Sequence, residues 1–270
     1  MRTIYVLGTD DAEMRAVEKV IDLAAQEIDV QYTWALDRRG VRVTRDTADN
    51  ACYPGRPPRA RVVTVECDLT HPTGMVVDHE IDHHAPGSPG YDAAPEKFWE
   101  TASLGQVVAD LQRQGWWGGH HLDPALEAEL RMIAASDHCL GAAYEGRCPG
   151  VKPEWLAQYR ASLAARAAGV SPEAVTAARL ETARKLQGAP MMSLSGGIEV
   201  VDARHLGALP QMLDAAAYHV RKPVIGVRNA SLILFNATER EWLAFKVWVS
   251  LQDWPKNEAL PEGFKGSYRA

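Results

Sequence analysis

Thr3 to Leu7 is a short β-branched and apolar run, and Gly8-Thr9-Asp10-Asp11 follows it. Met14, Val17, Val20, Ile21, Ala24 and Ile28 then recur at helical spacing. A strand, a polar turn and a long amphipathic helix in that order are half of a β-α-β unit. They predict an α/β fold with a parallel sheet. The polar turn lies at the carboxyl end of its strand, where open α/β sheets bind ligands. Asp10, Asp11 and Glu13 lie in or before the first helical turn, where the helix dipole favours negative charge.

The rest of the chain extends this pattern. Tyr32 to Leu36 and Val41 to Thr44 flank Asp37-Arg38-Arg39-Gly40 and read as a hairpin. Residues 46–60 read as a loop. Arg61 to Glu66 reads as a buried strand ending in Cys67-Asp68, and Met75 to Val77 as another short strand. Ala85 to Pro95 is loop, Ser103 to Leu111 is helical, and Asp123-Pro124 opens a helix that runs toward Ser136-Asp137-His138. Two alanine-rich helices are expected at 153–168 and 172–187, the second capped by Ser171. After Gly188-Ala189-Pro190 come a strand (198–201), a helix (208–220), two strands (224–227 and 232–235) and a final helix opened by the capping box Thr238-Glu239-Arg240-Glu241. The expected domains are 1–150, a helical connector over 151–189, and a smaller α+β domain over 190–270.

Composition narrows the function. Of 270 residues, 46% are apolar and 24% charged. That is ordinary soluble usage, and it excludes disorder, collagen and coiled coil for the whole chain. The formal charge of −6 argues against a protein that coats nucleic acid. It tilts toward a small anionic substrate or a short single-stranded oligonucleotide. No stretch reaches the roughly 20 apolar residues of a membrane span, and the first residues read as a strand rather than a signal peptide. Cys52, Cys67, Cys139 and Cys148 form no C-x-x-C pair, which suits reduced thiols. A cytoplasmic location without membrane contact is the expectation, and a homodimer is compatible with it.

The strongest chemical signal is Asp78-His79-Glu80-Ile81-Asp82-His83-His84. Two aspartates, a glutamate and three histidines within seven residues are a ligand set for Mn, Fe or Zn, and the carboxylates also suit Mg. Asp10 and Asp11 close the first strand, Asp68 the valine-rich strand, and Asp137-His138 the helix from 124. Taken alone, Asp10 and Asp11 read as helix caps and Asp68 as a turn residue. Asp137 stands at a helix carboxyl end, where the dipole disfavours a carboxylate unless a positive group compensates.

An acidic turn after strand one, an aspartate after a later strand, Asp82-His83-His84 and a further aspartate some 50 residues on resemble the DHH phosphoesterase superfamily. That family includes RecJ-type exonucleases, nanoRNase-type oligoribonucleases, cyclic dinucleotide phosphodiesterases and type II pyrophosphatases. The resemblance covers residues 1–140. It implies a parallel-sheet domain, a helical linker and a smaller domain closing over a shared cleft, with one or two Mn2+ ions, or Mg2+ in their place. By the same resemblance Asp68 bridges the ions, and His83, Asp137 and Asp11 ligate one of them. His84 acts beside the leaving group and Asp82 orients a histidine. The first motif departs from the pattern, because Tyr5 and Thr9 stand where the family has a histidine and an aspartate. Asp10, Asp78, His79 and His138 are the groups available to refill that site.

In the second domain Ser195-Gly196-Gly197 partly resembles the family's Gly-Gly-His element, but Ile198 follows. It reads equally as a plain turn. Arg221, Lys222 and Arg228 flank a strand and read either as phosphate ligands or as a solvated basic edge. Arg204 and His205 are weaker candidates. Trp116, Trp117, Trp242, Trp248 and Trp254 are expected to pack, with Trp116-Trp117 the exception that stacks on bases. The implied activity is metal-dependent hydrolysis of a phosphodiester in a nucleotide or short oligonucleotide. The alternatives are a phosphoanhydride (pyrophosphate-type) hydrolase and a catalytically impaired nucleotide-binding relative.

Overall fold

The computed structural model describes residues 1–44, 47–48, 51–52, 60–69, 76–84, 87–91, 93–118, 122–228 and 231–251. The chain divides into two compact units, Met1–His138 and Cys139–Ala270. The two alanine-rich helices therefore belong to the second unit.

In the first unit β1 (Thr3–Leu7), β2 (Val30–Trp34), β3 (Arg61–Val65) and β4 (His79–Ile81) form one parallel sheet in the order β2-β1-β3-β4. Leu7 pairs with Trp34 on one side and with Val65 on the other, and Val65 pairs with Ile81. All four carboxyl ends thus share one rim. The order reverses between β1 and β3, which is where such sheets leave a crevice for ligands. Ile4, Val6 and Val62 pack on one face of the sheet with Ala35, Val43 and Ala51. Helix α1 (Ala12–Ala24) packs against α3 (Ser103–Arg113) and α4 (Pro124–His138), with the short α2 (Phe98–Thr101) beside α3 and α4. A polar knot fixes β1 and β3 to α3. Buried Asp110 accepts from the Tyr5 hydroxyl at 2.6 Å and from both Arg61 amino groups at 2.7 and 2.9 Å.

Some expectations shift. β2 pairs parallel with β1, so the expected 32–44 hairpin contracts to a turn closed by the single bridge Leu36–Arg42. Residues 76–78 are not strand. β4 lies instead on His79–Ile81, because there its backbone meets Val63–Val65 in register. Asp78 is used structurally, accepting from the Val62 N–H at 2.8 Å. Met75 lies outside the described residues.

The second unit holds α5 (Leu140–Tyr144), α6 (Pro153–Ala168) and α7 (Pro172–Gln187), then a sheet in the order β5-β6-β7-β8. The strands are β5 (Met191–Ser193), β6 (Glu199–Asp202), β7 (Val224–Arg228) and β8 (Ser231–Phe235). Gly196 and Gly197, at φ +79° and +74°, form the turn of the antiparallel β5–β6 hairpin. The expected 208–220 helix is α8 (Met212–Asp214) continued by a π-helical turn over Ala215–Val220. Helix α9 (Glu239–Ser250) opens with the expected capping box and packs Phe245 on Val200, Ile225 and Leu234. Asp214 ties this unit together, accepting from the Tyr144 hydroxyl at 2.6 Å and from the Arg160 Nη2 at 2.9 Å. Among the described residues no helix is long and apolar enough to cross a membrane.

Candidate metal centre

The site stands on the carboxyl rim of the first unit's sheet. β4 ends at buried Ile81, and Asp82 then builds a tight turn. One oxygen of Asp82 accepts from the His83 N–H at 2.6 Å, the His84 N–H at 3.0 Å and the His84 Nδ1 at 2.8 Å. An aspartate that caps the next two amides makes a local turn. Consecutive side chains alternate in a strand, but this turn puts both imidazoles on the same side. Their rings stack with centroids 4.2 Å apart.

Glu66 enters from β3. Its φ of +52° is left-handed, so the strand stops at Val65 and the carboxylate reaches the rim. Its amide donates to the Ile81 carbonyl at 2.9 Å, which fixes it beside the histidine turn. Asp137 enters from the last turn of α4. One ligand atom from each of Glu66, His83, His84 and Asp137 lies within 4.8 Å of all the others, so these four residues can hold a metal ion.

Asp137 faces the Nε2 atom of both histidines and Glu66 faces the Nδ1 atom of both, at 3.1–4.0 Å, so the groups would have to close in to form one ligand shell. His83 Nε2 is 3.1 Å from Asp137 Oδ2, and His83 Nδ1 is 3.5 Å from Glu66 Oε1. His84 Nδ1 is 4.0 Å from Glu66 Oε1, and His84 Nε2 is 3.9 Å from Asp137 Oδ2. Ligands bound at about 2.1 Å sit roughly 3.0–3.4 Å apart in octahedral or tetrahedral shells. The Glu66 Oε1, His83 Nε2 and Asp137 Oδ2 atoms are buried without a well-formed hydrogen bond, and Glu13 Oε2 shares that condition. Buried polar atoms are normally satisfied. Three such atoms on residues of the converging group, offering imidazole nitrogen and carboxylate oxygen, fit a divalent cation. Among the described residues the ion-pair partners of Glu66, Asp82 and Asp137 are all histidines, so no lysine or arginine balances the acids.

The supporting shell orients the ligands. His83 Nδ1 meets the Ser103 hydroxyl at 3.0 Å, which leaves Nε2 to face Asp137. Gln106 donates to the Asp82 and Thr101 carbonyls. His138 packs edge-on to His83 and shares a hydrogen bond with the Thr101 hydroxyl. Two glycines admit the backbone. A Cβ on Gly8 would overlap the Glu66 carbonyl, and one on Gly90 would overlap the Thr101 carbonyl and the His83 Cβ.

Electrostatics follow from this crowding. Burial works to raise Asp82, but the His84 hydrogen bond and charge prevail and hold it down to about 2. Burial works to lower His84, but Glu66, the Asp82 hydrogen bond and Asp137 push it up to about 10. Burial is likewise outweighed at Asp137, which His83 and His84 hold well below the usual carboxylate range. Glu13 goes the other way. Its burial, with the charges of Glu66 and Asp137, pushes it well above its ordinary value, while its other oxygen accepts from the Leu104 N–H at 2.8 Å.

Of the residues singled out in the sequence, the structure brings together His83, His84 and Asp137, with Asp82 orienting His84. Asp68 is not among the converging atoms. Cys67 turns inward to the Val6 carbonyl, and Asp68 is left exposed, its backbone paired with Ala48 and Ala51. Asp10 is exposed and ion-paired with Arg15 and Arg42, and Asp11 caps α1 by accepting from the Met14 N–H. Tyr5 is bound in the Asp110 knot. Arg221 and Lys222 are exposed ahead of β7, and Arg221 donates to the Tyr218 carbonyl. Arg204 pairs with Asp202. The Arg228 side chain and Trp254 lie outside the described residues. Trp116 is buried and Trp117 exposed, whereas Trp242 and Trp248 pack against the α9 core.

Sequence reasoning missed Glu66, Glu13 and Ser103. Glu66 was discoverable as the first polar residue after the valine run. No family model, curated protein or solved structure matches the chain.

Proposed function

We propose that the chain is a divalent-metal-dependent phosphoesterase of the DHH type, acting on a phosphodiester of a nucleotide or short oligonucleotide. The observation that carries this reading is the convergence of Glu66, His83, His84 and Asp137 at the carboxyl ends of β3 and β4 and the end of α4. An imidazole beside two carboxylates suits Mn2+ better than Mg2+, which prefers oxygen ligands. Glu66, His83 and Asp137 would hold the ion. Glu66 takes the place that the resemblance gives to Asp68. When bound, such an ion supplies a water of lowered pKa and stabilises charge on the phosphoryl oxygens.

The chain's own groups do the rest. Asp82 grips His84 Nδ1 and turns Nε2 toward the centre, where it would give a proton to a leaving oxygen; in the metal-free chain Glu66, Asp82 and Asp137 together favour the charged ring. Ser103 holds His83 in one orientation. One observation favours a second reading, a nucleotide-binding relative without turnover. Asp10 and Asp11, the acids of the first motif, are engaged in an arginine cluster and a helix cap.

The test is metal analysis of the purified chain with Mn2+, followed by hydrolysis of bis-p-nitrophenyl phosphate. About one ion per chain and turnover abolished by EDTA are expected. His84→Ala should keep the ion and lose most turnover. Phosphate release from pyrophosphate alone supports a phosphoanhydride hydrolase. Tight nucleotide binding with no turnover supports the second reading.

A further inference from the structure

The second unit opens with an arrangement that the phosphoesterase reading does not use. Cys139 precedes α5 and Cys148 follows it. The Ala143 N–H donates to the Cys139 carbonyl at 2.9 Å, and the Arg147 N–H to the Ala142 carbonyl at 2.9 Å. Between them the chain reverses at Gly146, whose φ of +77° permits the tight return. The result sets the two sulfur atoms 2.9 Å apart, with both residues buried.

That separation discriminates between the possible relations of two thiols. Thiolates sharing a zinc ion at about 2.3 Å would sit roughly 3.8 Å apart. A disulfide needs about 2.05 Å. The pair is too close to share a metal and needs less than 1 Å of approach to bond. The nine-residue separation, 139 to 148, is spanned by one short helix and a glycine turn, so the sulfurs are held together in the folded chain.

We infer that Cys139 and Cys148 are a redox-active dithiol that a low-molecular-weight disulfide oxidises to an intramolecular Cys139–Cys148 bond. One cysteine thiolate attacks the small disulfide, forming a mixed disulfide and releasing one small thiol. The second thiolate then attacks the protein sulfur of the mixed disulfide. The protein S–S bond forms and the second small thiol leaves. The protein loses two electrons and two protons, and the small disulfide gains both. The second step is intramolecular between groups already in contact, so the mixed disulfide does not accumulate. Burial makes the first step wait on local opening around α5, and the reaction is correspondingly slow. Cys52 and Cys67 serve as internal controls, because neither has another cysteine beside it among the described residues.

The test uses the whole reduced chain incubated with oxidised glutathione, quenched in acid and alkylated under denaturing conditions. Two of the four thiols should be lost. Trypsin cuts after Arg147, so the bond should appear as a linked peptide pair that a reductant separates. The urea midpoint of the oxidised chain should rise. Four alkylated thiols at excess oxidant overturn the inference. So do a stable glutathione adduct on either residue, a bond to Cys52 or Cys67, and a lowered midpoint.

Discussion

Glu66 and Asp68 are two residues apart, yet only Glu66 joins the converging atoms. The cause is the sign of one backbone dihedral, which side-chain identities do not reveal. His83, His84 and Asp137 were legible because a run of imidazoles and acids announces its own chemistry. Glu66 and Asp68 look alike until the turn is known, and Glu13 looks like an ordinary first-turn acid until its burial is seen. Glu66→Gln should therefore weaken Mn2+ binding by one to two orders of magnitude, and Asp68→Asn by no more than a few-fold, in a competition titration. The metal-free chain should also report its charges through pH. His84, raised to about 10, contributes stability that is complete below the unfolded histidine value of about 6.5 and lost as pH rises through 10. Asp82, lowered to about 2, contributes stability that is present above about 3.9 and lost as pH falls through 2. Thermal melts in EDTA should show both flanks, and His84→Ala should remove the alkaline one.

At the level of elements, helical periodicity located α1 and α4 closely, continuous apolar runs located the fully buried β1 and β3, and alanine-rich composition located α6 and α7. It misplaced β4 and missed β5. Three-residue strands carry too little pattern, and pairing with a neighbour decides them. The π-helical turn after Asp214 was likewise invisible as a departure from helical spacing. The glycines that frame the centre act between elements. Gly8→Ala should push β1 against Glu66, and Gly90→Ala should push its loop against His83. Each is expected to lower Mn2+ affinity at least ten-fold while the circular dichroism spectrum is retained. Asp110→Asn tests the knot behind the sheet. It leaves Arg61 without its buried partner and should cost about 3–5 kcal/mol in urea unfolding.

For the whole molecule, the residues of the centre all belong to Met1–His138. A ligand that binds only the folded state at 100 times its Kd adds about 2.7 kcal/mol. Mn2+ should thus slow hydrogen exchange around β3, β4 and the end of α4 more than across β5 to β8. Equal slowing in both units would separate the ion from this centre. The left-handed backbone at Glu66 has one more consequence. Any residue with a Cβ is uncomfortable there, by roughly 1 kcal/mol, and glycine is not. Glu66→Gly should relieve that strain and make the apoprotein sturdier only in alkali, where His84 is neutral, because at lower pH it also removes the acid that does most to favour the charged ring. A screen for robustness run at high pH would discard the very side chain that the centre depends on.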